Sequence, residues 1–253
     1  MTSPTPLLTL YSGDRAPQTH SLSMFSTKLQ LRLRHANVPY TTAFAARDDA
    51  PRKKLPFIKL AETGELVSDT AIITAHLVAA GHLPDVTAAL PSAERRATGY
   101  CVQAMVEDRL YYLVNYERWY EHATEMREGV FGHLPWGVRH AVGYGARQYA
   151  RVMMYFQGTG RYDAEEVRGF MEEAVGALGG FAEAARGKGG VFWILGGEGP
   201  SEADFTVFGA LSALLVRPDL QPKVTAMIKG QAALMEYMEG INKVYFPDFD
   251  DWP

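Results

Sequence analysis

Apolar positions follow two different periods along this chain. Leu7-Leu8-Thr9-Leu10-Tyr11 reads as a strand, and after a polar loop Leu22, Phe25, Leu29, Leu33 and Ala36 recur at helical spacing, with Lys28, Arg32, Arg34 and His35 between them. Asn37-Val38-Pro39 stops that helix, and Tyr40 to Ala45 reads as a weaker strand. Leu55 to Leu60 is a third strand, turned by Thr63-Gly64 into Glu65-Leu66-Val67 as a hairpin. Ser68-Asp69 then opens a helix over Thr70–Ala80 whose inner face is Ile73, Leu77 and Ala80. The order β-α-β followed by β-β-α predicts one mixed sheet with helices on it.

Gly81 to Pro91, with a glycine, two prolines and small residues, divides the chain into units of 1–81 and 92–253. Beyond it only the helical period remains. Val102, Val106, Leu110 and Leu113 form one stripe of a long helix, and Met105, Tyr112, Tyr116 and Trp119 a second. A helix with two apolar faces is central to a bundle or lines a pocket. Further helices are expected over His140–Gln157, Ala164–Arg186 and Ala203–Val216, with a last one over Lys223–Glu239. The fold class is therefore α/β plus all-α. The aromatic, acidic tail Tyr245-Phe246-Pro247-Asp248-Phe249-Asp250-Asp251-Trp252 is too apolar to hang free.

Composition narrows the functional classes. With 253 residues, 47% hydrophobic, the chain supports a full core. Twenty-five basic against 29 acidic side chains removes the footprint of a nucleic-acid binder. The single cysteine, Cys101, allows neither an internal disulfide nor a cysteine metal site and fits a reducing, cytoplasmic setting. No apolar run reaches the ~20 residues of a membrane span, and the seven histidines show no metal-type spacing.

Three places carry candidate chemistry. Pro56 opens the third strand, where it is either an ordinary edge proline or a cis proline that turns the Leu55 backbone outward to pair with an extended ligand. Ser68-Asp69 is either a plain helix cap or a site for a ligand's carboxylate and ammonium groups. Ser21, Ser23 and Ser26 surround the start of the first helix, as ordinary caps or as donors to a negative sulfur. Lowering a thiol pKa from ~8.5 to ~6.5 takes about 2.7 kcal/mol. A hydroxyl hydrogen bond to an anion contributes ~1.5–3 kcal/mol and a helix end ~0.3–1 kcal/mol, so together they suffice. The stripe of Met105, Tyr112, Tyr116, Trp119 and Tyr120 is core or the wall of a pocket for a flat molecule. Ser201-Glu202-Ala203-Asp204 reads as a structural capping box.

In this order the pieces resemble the glutathione transferase superfamily, and within it the failed-axon-connections and metaxin-like branch. Pro51-Arg52-Lys53-Lys54-Leu55-Pro56-Phe57-Ile58 looks like the branch's P-x-G-K-L-P-x-I, with Lys53 where the pattern has glycine. Glu107 to Tyr112 with Arg118-Trp119 looks like its E-x-x-L-Y and R-W pattern, Leu195 to Asp204 like the superfamily cap L-x-G-D-x-P-T-x-x-D, and Tyr245-Phe246-Pro247-Asp248 like its Y-F-P-D.

The resemblance implies a thioredoxin-like amino-terminal domain, an all-helical domain supplying the acceptor pocket, and a homodimer with glutathione as cosubstrate. Ser68 and Asp69 would hold the γ-glutamyl end, in the reverse of the branch's acid-then-serine order. The Leu55 backbone, before a cis Pro56, would pair with the cysteinyl backbone, and Lys53 or Lys54 would meet the glycyl carboxylate. Ser23-Met24-Phe25-Ser26 stands where the branch has S-P-F-C or C-P-F-C, which favours a serine-type site at Ser23, with Ser26 and Ser21 behind it. The loop Ser12–His20 is long enough to cover the site. The implied activity is attack of a glutathione thiolate on an electrophilic apolar molecule, or cis–trans isomerisation by reversible addition, in detoxification or fungal-type secondary metabolism. A non-catalytic metaxin-like binding or sorting module is the alternative. Neither nucleic acid nor membrane is an expected partner.

Overall fold

Leu8 and Leu10 alternate with Thr9 and Tyr11, and the chain there forms β1 (Leu8–Ser12) with both leucines buried. The computed structural model describes residues 5–16, 18–187 and 189–252. After α1 (Met24–His35) come β2 (Tyr40–Phe44), β3 (Phe57–Leu60), β4 (Leu66–Ser68) and α2 (Thr70–Ala79). The sheet order is β2-β1-β3-β4, with β1 parallel to β2 and antiparallel to β3, and β3 antiparallel to β4. In register, Leu8 faces Tyr40 and Leu60, and Ile58 faces Val67. Leu29, Leu33, Ile73 and Leu77 close one face of this sheet, while Ala80 lies outside on the surface.

No helix or strand occupies 80–92. The long helix then begins as α3 (Ala93–Ala104) and continues unbroken as a π-type segment (Met105–Leu110), α4 (Tyr111–Tyr116) and a second π-type segment (Glu117–Glu121). The stripe Val102, Val106, Leu110, Leu113 is buried throughout. A short helix absent from the sequence reading follows, α5 (Ala123–Phe131), then α6 (Trp136–Gln157), α7 (Ala164–Ala185) and α8 (Glu202–Leu215). The expected last helix is two, α9 (Pro222–Lys229) and α10 (Ala232–Tyr245), parted at Gly230-Gln231. Among the described residues no helix is long and apolar enough to cross a membrane.

The capping box at Ser201 forms as read from the sequence. Asp204, fully buried, accepts from the N–H of Ile194 at 2.6 Å, the N–H and hydroxyl of Ser201 at 2.7 Å each, and the Tyr237 hydroxyl at 3.2 Å. It thereby fixes the apolar plug Val191–Leu195 to the head of α8.

Helix α8 packs directly on α1. A Cβ on Gly209 would stand 2.5 Å from the Met24 carbonyl oxygen and 2.7 Å from the Lys28 nitrogen, so only glycine lets the backbones approach this closely. The basic side chains interleaved in α1 reach across to the helices. Lys28 Nζ donates to Glu107 at 2.6 Å, Arg32 Nε to Glu202 at 2.9 Å and Arg34 Nη2 to Asp248 at 2.8 Å. The tail returns to the same place, as expected of so apolar a segment. His20 sits among the rings of Phe246, Phe249 and Trp252, with Asp251 2.7 Å from its Nδ1.

Candidate functional site

A cavity of about 970 Å³ opens between the sheet and the helices, where the start of α1, the turn before β3 and the start of α2 converge. At the first of these Ser23 is the N-cap of α1, yet its hydroxyl makes no capping bond; the carbonyl accepts from the Ser26 N–H at 3.0 Å instead. The Ser23 hydroxyl therefore stays available beside the free N–H groups of the first helical turn, facing the cavity. Ser21 is buried and its hydroxyl accepts the Ser23 N–H at 2.9 Å, which fixes the turn; it edges only the adjoining cavity. Ser26 is 1% exposed and reaches neither cavity, which removes it from the candidates.

At the second place the Leu55-Pro56 peptide is cis, and Leu55 lines the cavity while Pro56 is buried. Lys53 has φ +54°, a left-handed conformation that favours glycine, which accounts for the glycine of the family pattern at this position. Its ammonium donates to the Asp48 carbonyl at 2.9 Å, and the Lys54 ammonium lies 3.0 Å from Asp69 Oδ2.

The third place corrects the sequence reading. Ser68 is buried, with its hydroxyl donating to the Lys54 carbonyl at 3.3 Å, so it ties strand to turn and does not face the cavity. Asp69 (φ +82°) and Thr70 do face it, giving the acid-then-hydroxyl order one residue later. Asp69 Oδ1 caps the Ala71 N–H at 3.2 Å. Burial works to raise its pKa, but the hydrogen bond and charge of Lys54, the Ala71 N–H and the charge of Arg52 together hold the carboxyl below the usual aspartate value.

The helical wall is also displaced from the expected stripe. Tyr112 and Trp119 line the cavity, whereas Met105, Tyr116 and Tyr120 do not. Tyr116 and Tyr120 stack on each other at 4.3 Å, with Arg151 over the Tyr120 ring. The residues that do face the cavity keep a helical spacing of their own, so it takes a different strip of the same helix. The residues facing the cavity are instead Asp108, Tyr111, Asn115 and Arg118 beside Tyr112 and Trp119.

Two further residues were not among the site residues expected from the sequence. Arg47 donates to the Lys53 carbonyl at 2.9 Å and to the Tyr149 hydroxyl at 3.0 Å, and its guanidinium lies over the Tyr149 ring, bridging the sheet unit to α6. Arg118 was visible only as part of a pattern; here it is 8% exposed at the base of the cavity. Burial pulls its pKa down to about 10, partly offset by Tyr111 and Glu117. The described part of the loop 13–20 borders a second cavity of about 790 Å³ that meets the first at Leu22, Ser23, Arg47 and Leu55.

Ligand atoms of Glu117, Glu121 and His122 lie within 4.8 Å of one another, but they are already engaged. Glu117 accepts the N–H groups of Lys223 and Val224 at the start of α9, at 2.7 and 3.2 Å, and Glu121 accepts from Lys223 Nζ at 2.6 Å. This cluster joins helices.

A family model described as "Glutathione S-transferase N-terminal domain" matches residues 24–125. Failed axon connections of Drosophila melanogaster is 25% identical over 264 residues, covering 97% of this chain and 59% of that protein. The chain thus spans about three-fifths of that relative's length. Solved structures with the same fold include glutathione transferase GSTFuA2 from Phanerochaete chrysosporium (TM-score 0.62, 14% identity, 96% and 99% of the two chains). A glutathione S-transferase of Ceriporiopsis subvermispora in complex with glutathione gives 0.61 at 15% identity over 96% and 98%. Maleylacetoacetate isomerase from Anaeromyxobacter dehalogenans 2CP-1 gives 0.51 at 14% identity over 99% and 95%.

Proposed function

We propose that this chain, which belongs to the glutathione transferase superfamily, takes up glutathione in the large cleft and keeps its sulfur ionised beside Ser23. The observation that carries the reading is the Ser23 hydroxyl: uncommitted to capping, at a helix N-terminus, facing a cavity that also exposes Leu55, Asp69 and Thr70. In this reading Asp69 takes the ligand ammonium and Thr70 with the α2 N-terminus the γ-glutamyl carboxylate. The Leu55 backbone pairs with the cysteinyl peptide, and Lys54 or Arg52 meets the glycyl carboxylate. Lys53 is the weaker candidate, since Asp48 already holds it.

The Ser23 hydroxyl and the first turn of α1 stabilise the thiolate relative to the thiol. The sulfur's electron pair then forms a bond to an electrophilic carbon. In a substitution the leaving group departs with its bonding pair; in addition to a conjugated double bond a proton completes the adduct. Reversal of that addition after rotation regenerates the thiolate and yields the other geometric isomer. Conjugation and isomerisation therefore draw on one activated sulfur.

Calorimetry with glutathione, joined to ultraviolet titration of bound thiolate against pH, tests the proposal. Glutathione binds the wild type, and Ser23→Ala moves the bound thiol's pKa upward by about one or more. Absence of any heat with glutathione overturns the reading. One observation favours a second one, a binding module without catalysis: Lys54 Nζ lies 3.0 Å from Asp69 Oδ2, on the carboxylate that would take the ligand ammonium. A silent calorimeter supports that second reading.

A further inference from the structure

The helical wall of the cleft holds a buried cation whose guanidinium is only partly hydrogen-bonded within the protein. Arg118 donates through Nε to Gln221 Oε1 at 2.7 Å, a neutral acceptor whose own amide is held by the Leu214 carbonyl at 3.1 Å. Its Nη2 is buried without a partner. Among the described residues Arg118 forms no ion pair, and the adjacent Glu117 carboxylate is committed to the N–H groups of Lys223 and Val224. A buried guanidinium with an empty donor is costly unless an anion reaches it.

A small void of about 30 Å³ lies behind Arg118 between Leu22, Met24, Leu110 and Leu214, and its lining holds no carboxylate. On its other side Arg118 lines the large cavity together with Tyr111, Asn115 and Trp119. Of the other charged groups around that cavity, Lys28 neutralises Glu107 at 2.6 Å, Lys54 pairs with Asp69 and Lys53 with Asp48, while Arg47 and Arg52, on the sheet side, form no ion pair among the described residues.

We infer that the acceptor side of the cleft selects molecules bearing a carboxylate on a flat, apolar body, the carboxylate pairing with Arg118 and the body lying against Tyr112 and Trp119. This rests on the proposed function only for which part of the cleft is the acceptor side, and it changes the expectation of a wholly apolar acceptor. A carboxylate fits better than a phosphate, because its single charge and planar oxygens match one guanidinium fork. A second negative charge would find no further unpaired cation on this wall among the described residues, and Asp108 lies beside it.

The test is calorimetric titration of the full chain with trans-cinnamate and with trans-cinnamamide, which have the same size and differ in charge, first without glutathione and then with it. Cinnamate binds the wild type about tenfold or more tightly than the amide. Arg118→Met removes the preference while leaving the glutathione Kd within about twofold, and Arg118→Lys, which keeps the charge, retains part of it. Equal binding of acid and amide to the wild type overturns the proposal without need of any variant. So does a preference that survives in a folded Arg118→Met, or a loss of glutathione binding in that variant, which would assign the arginine to glutathione instead. Should glutathione produce no heat while cinnamate still outcompetes the amide, the glutathione reading falls and the carboxylate site stands.

Discussion

The sheet unit meets the helices in two places built from opposite materials. Along α1 and α8 the contact is close: Gly209 brings the backbones together, and Arg32, 1% exposed, lies over the Phe205 ring while reaching Glu202 and the Pro84 carbonyl. At the cleft the same two parts stand apart by a cavity of about 970 Å³, bordered by the uncapped start of α1 and by side chains with open donors. The seam fixes where the walls of the cleft stand, and so lets the cleft keep groups that satisfy no folding need. The ions of the seam pair within the protein, Arg32 with Glu202 and Lys28 with Glu107, while Arg32 Nη1 and the Ser26 hydroxyl stay buried without a partner. At the cleft Arg118 forms no such pair among the described residues, and the Ser23 hydroxyl caps nothing.

Substitutions at the seam therefore should cost stability, and those at the cleft should not. The largest effect is expected for Arg32→Met, which strands Glu202 and the Pro84 carbonyl: a loss of about 4 kcal/mol in chemical denaturation. A loss below 1 kcal/mol would mean that the seam does not depend on its ions. Gly209→Ala comes next, at about 2 kcal/mol, because the added methyl meets two backbone atoms that cannot yield without parting the helices. Ser23→Ala, across the cleft, is expected within about 0.5 kcal/mol of wild type, since its hydroxyl caps nothing. A clearly lowered melting temperature there would erase the contrast.

The smallest effect lies where the tail meets α1. The Arg34 hydrogen bond holds the Asp248 carboxyl below its ordinary 3.8, against a smaller opposing effect of burial. A lowered carboxyl pKa adds stability that is present above the unfolded value and is lost as pH falls through the folded one. The difference in melting temperature between wild type and Asp248→Asn is thus expected near neutral pH and fades below pH 3.8. A difference that persists in stronger acid would show that the clip works through packing.

What could be read from the sequence follows from what leaves a period. Leu8, Leu10 and Ile58 alternate because one face of the sheet is buried, and the strands emerged within a residue or two. Glycine at 230 was not enough to mark the break between α9 and α10, because both helices carry apolar faces and the gap is a single turn. Ser23 was legible as the start of a helix. Thr70 was not, since Ser68 stands next to Asp69 and only the chain's path shows which hydroxyl faces inward. Burial of Lys28, Arg32 and Arg118 was likewise illegible, because their partners lie far off in the sequence and a charge reads alike whether it faces water or a carboxylate.

The return of the tail has a consequence for the order of assembly. His20 and Arg34 find Asp251 and Asp248 across 231 and 214 residues, so these clasps close only after nearly all the intervening polypeptide has been placed. Until then the first helix carries an uncovered guanidinium and an unfilled ring of aromatic contacts. A chain cut short before Phe246 would keep every strand and α1 to α10 in sequence, yet lose the latch that binds its opening loop to its end.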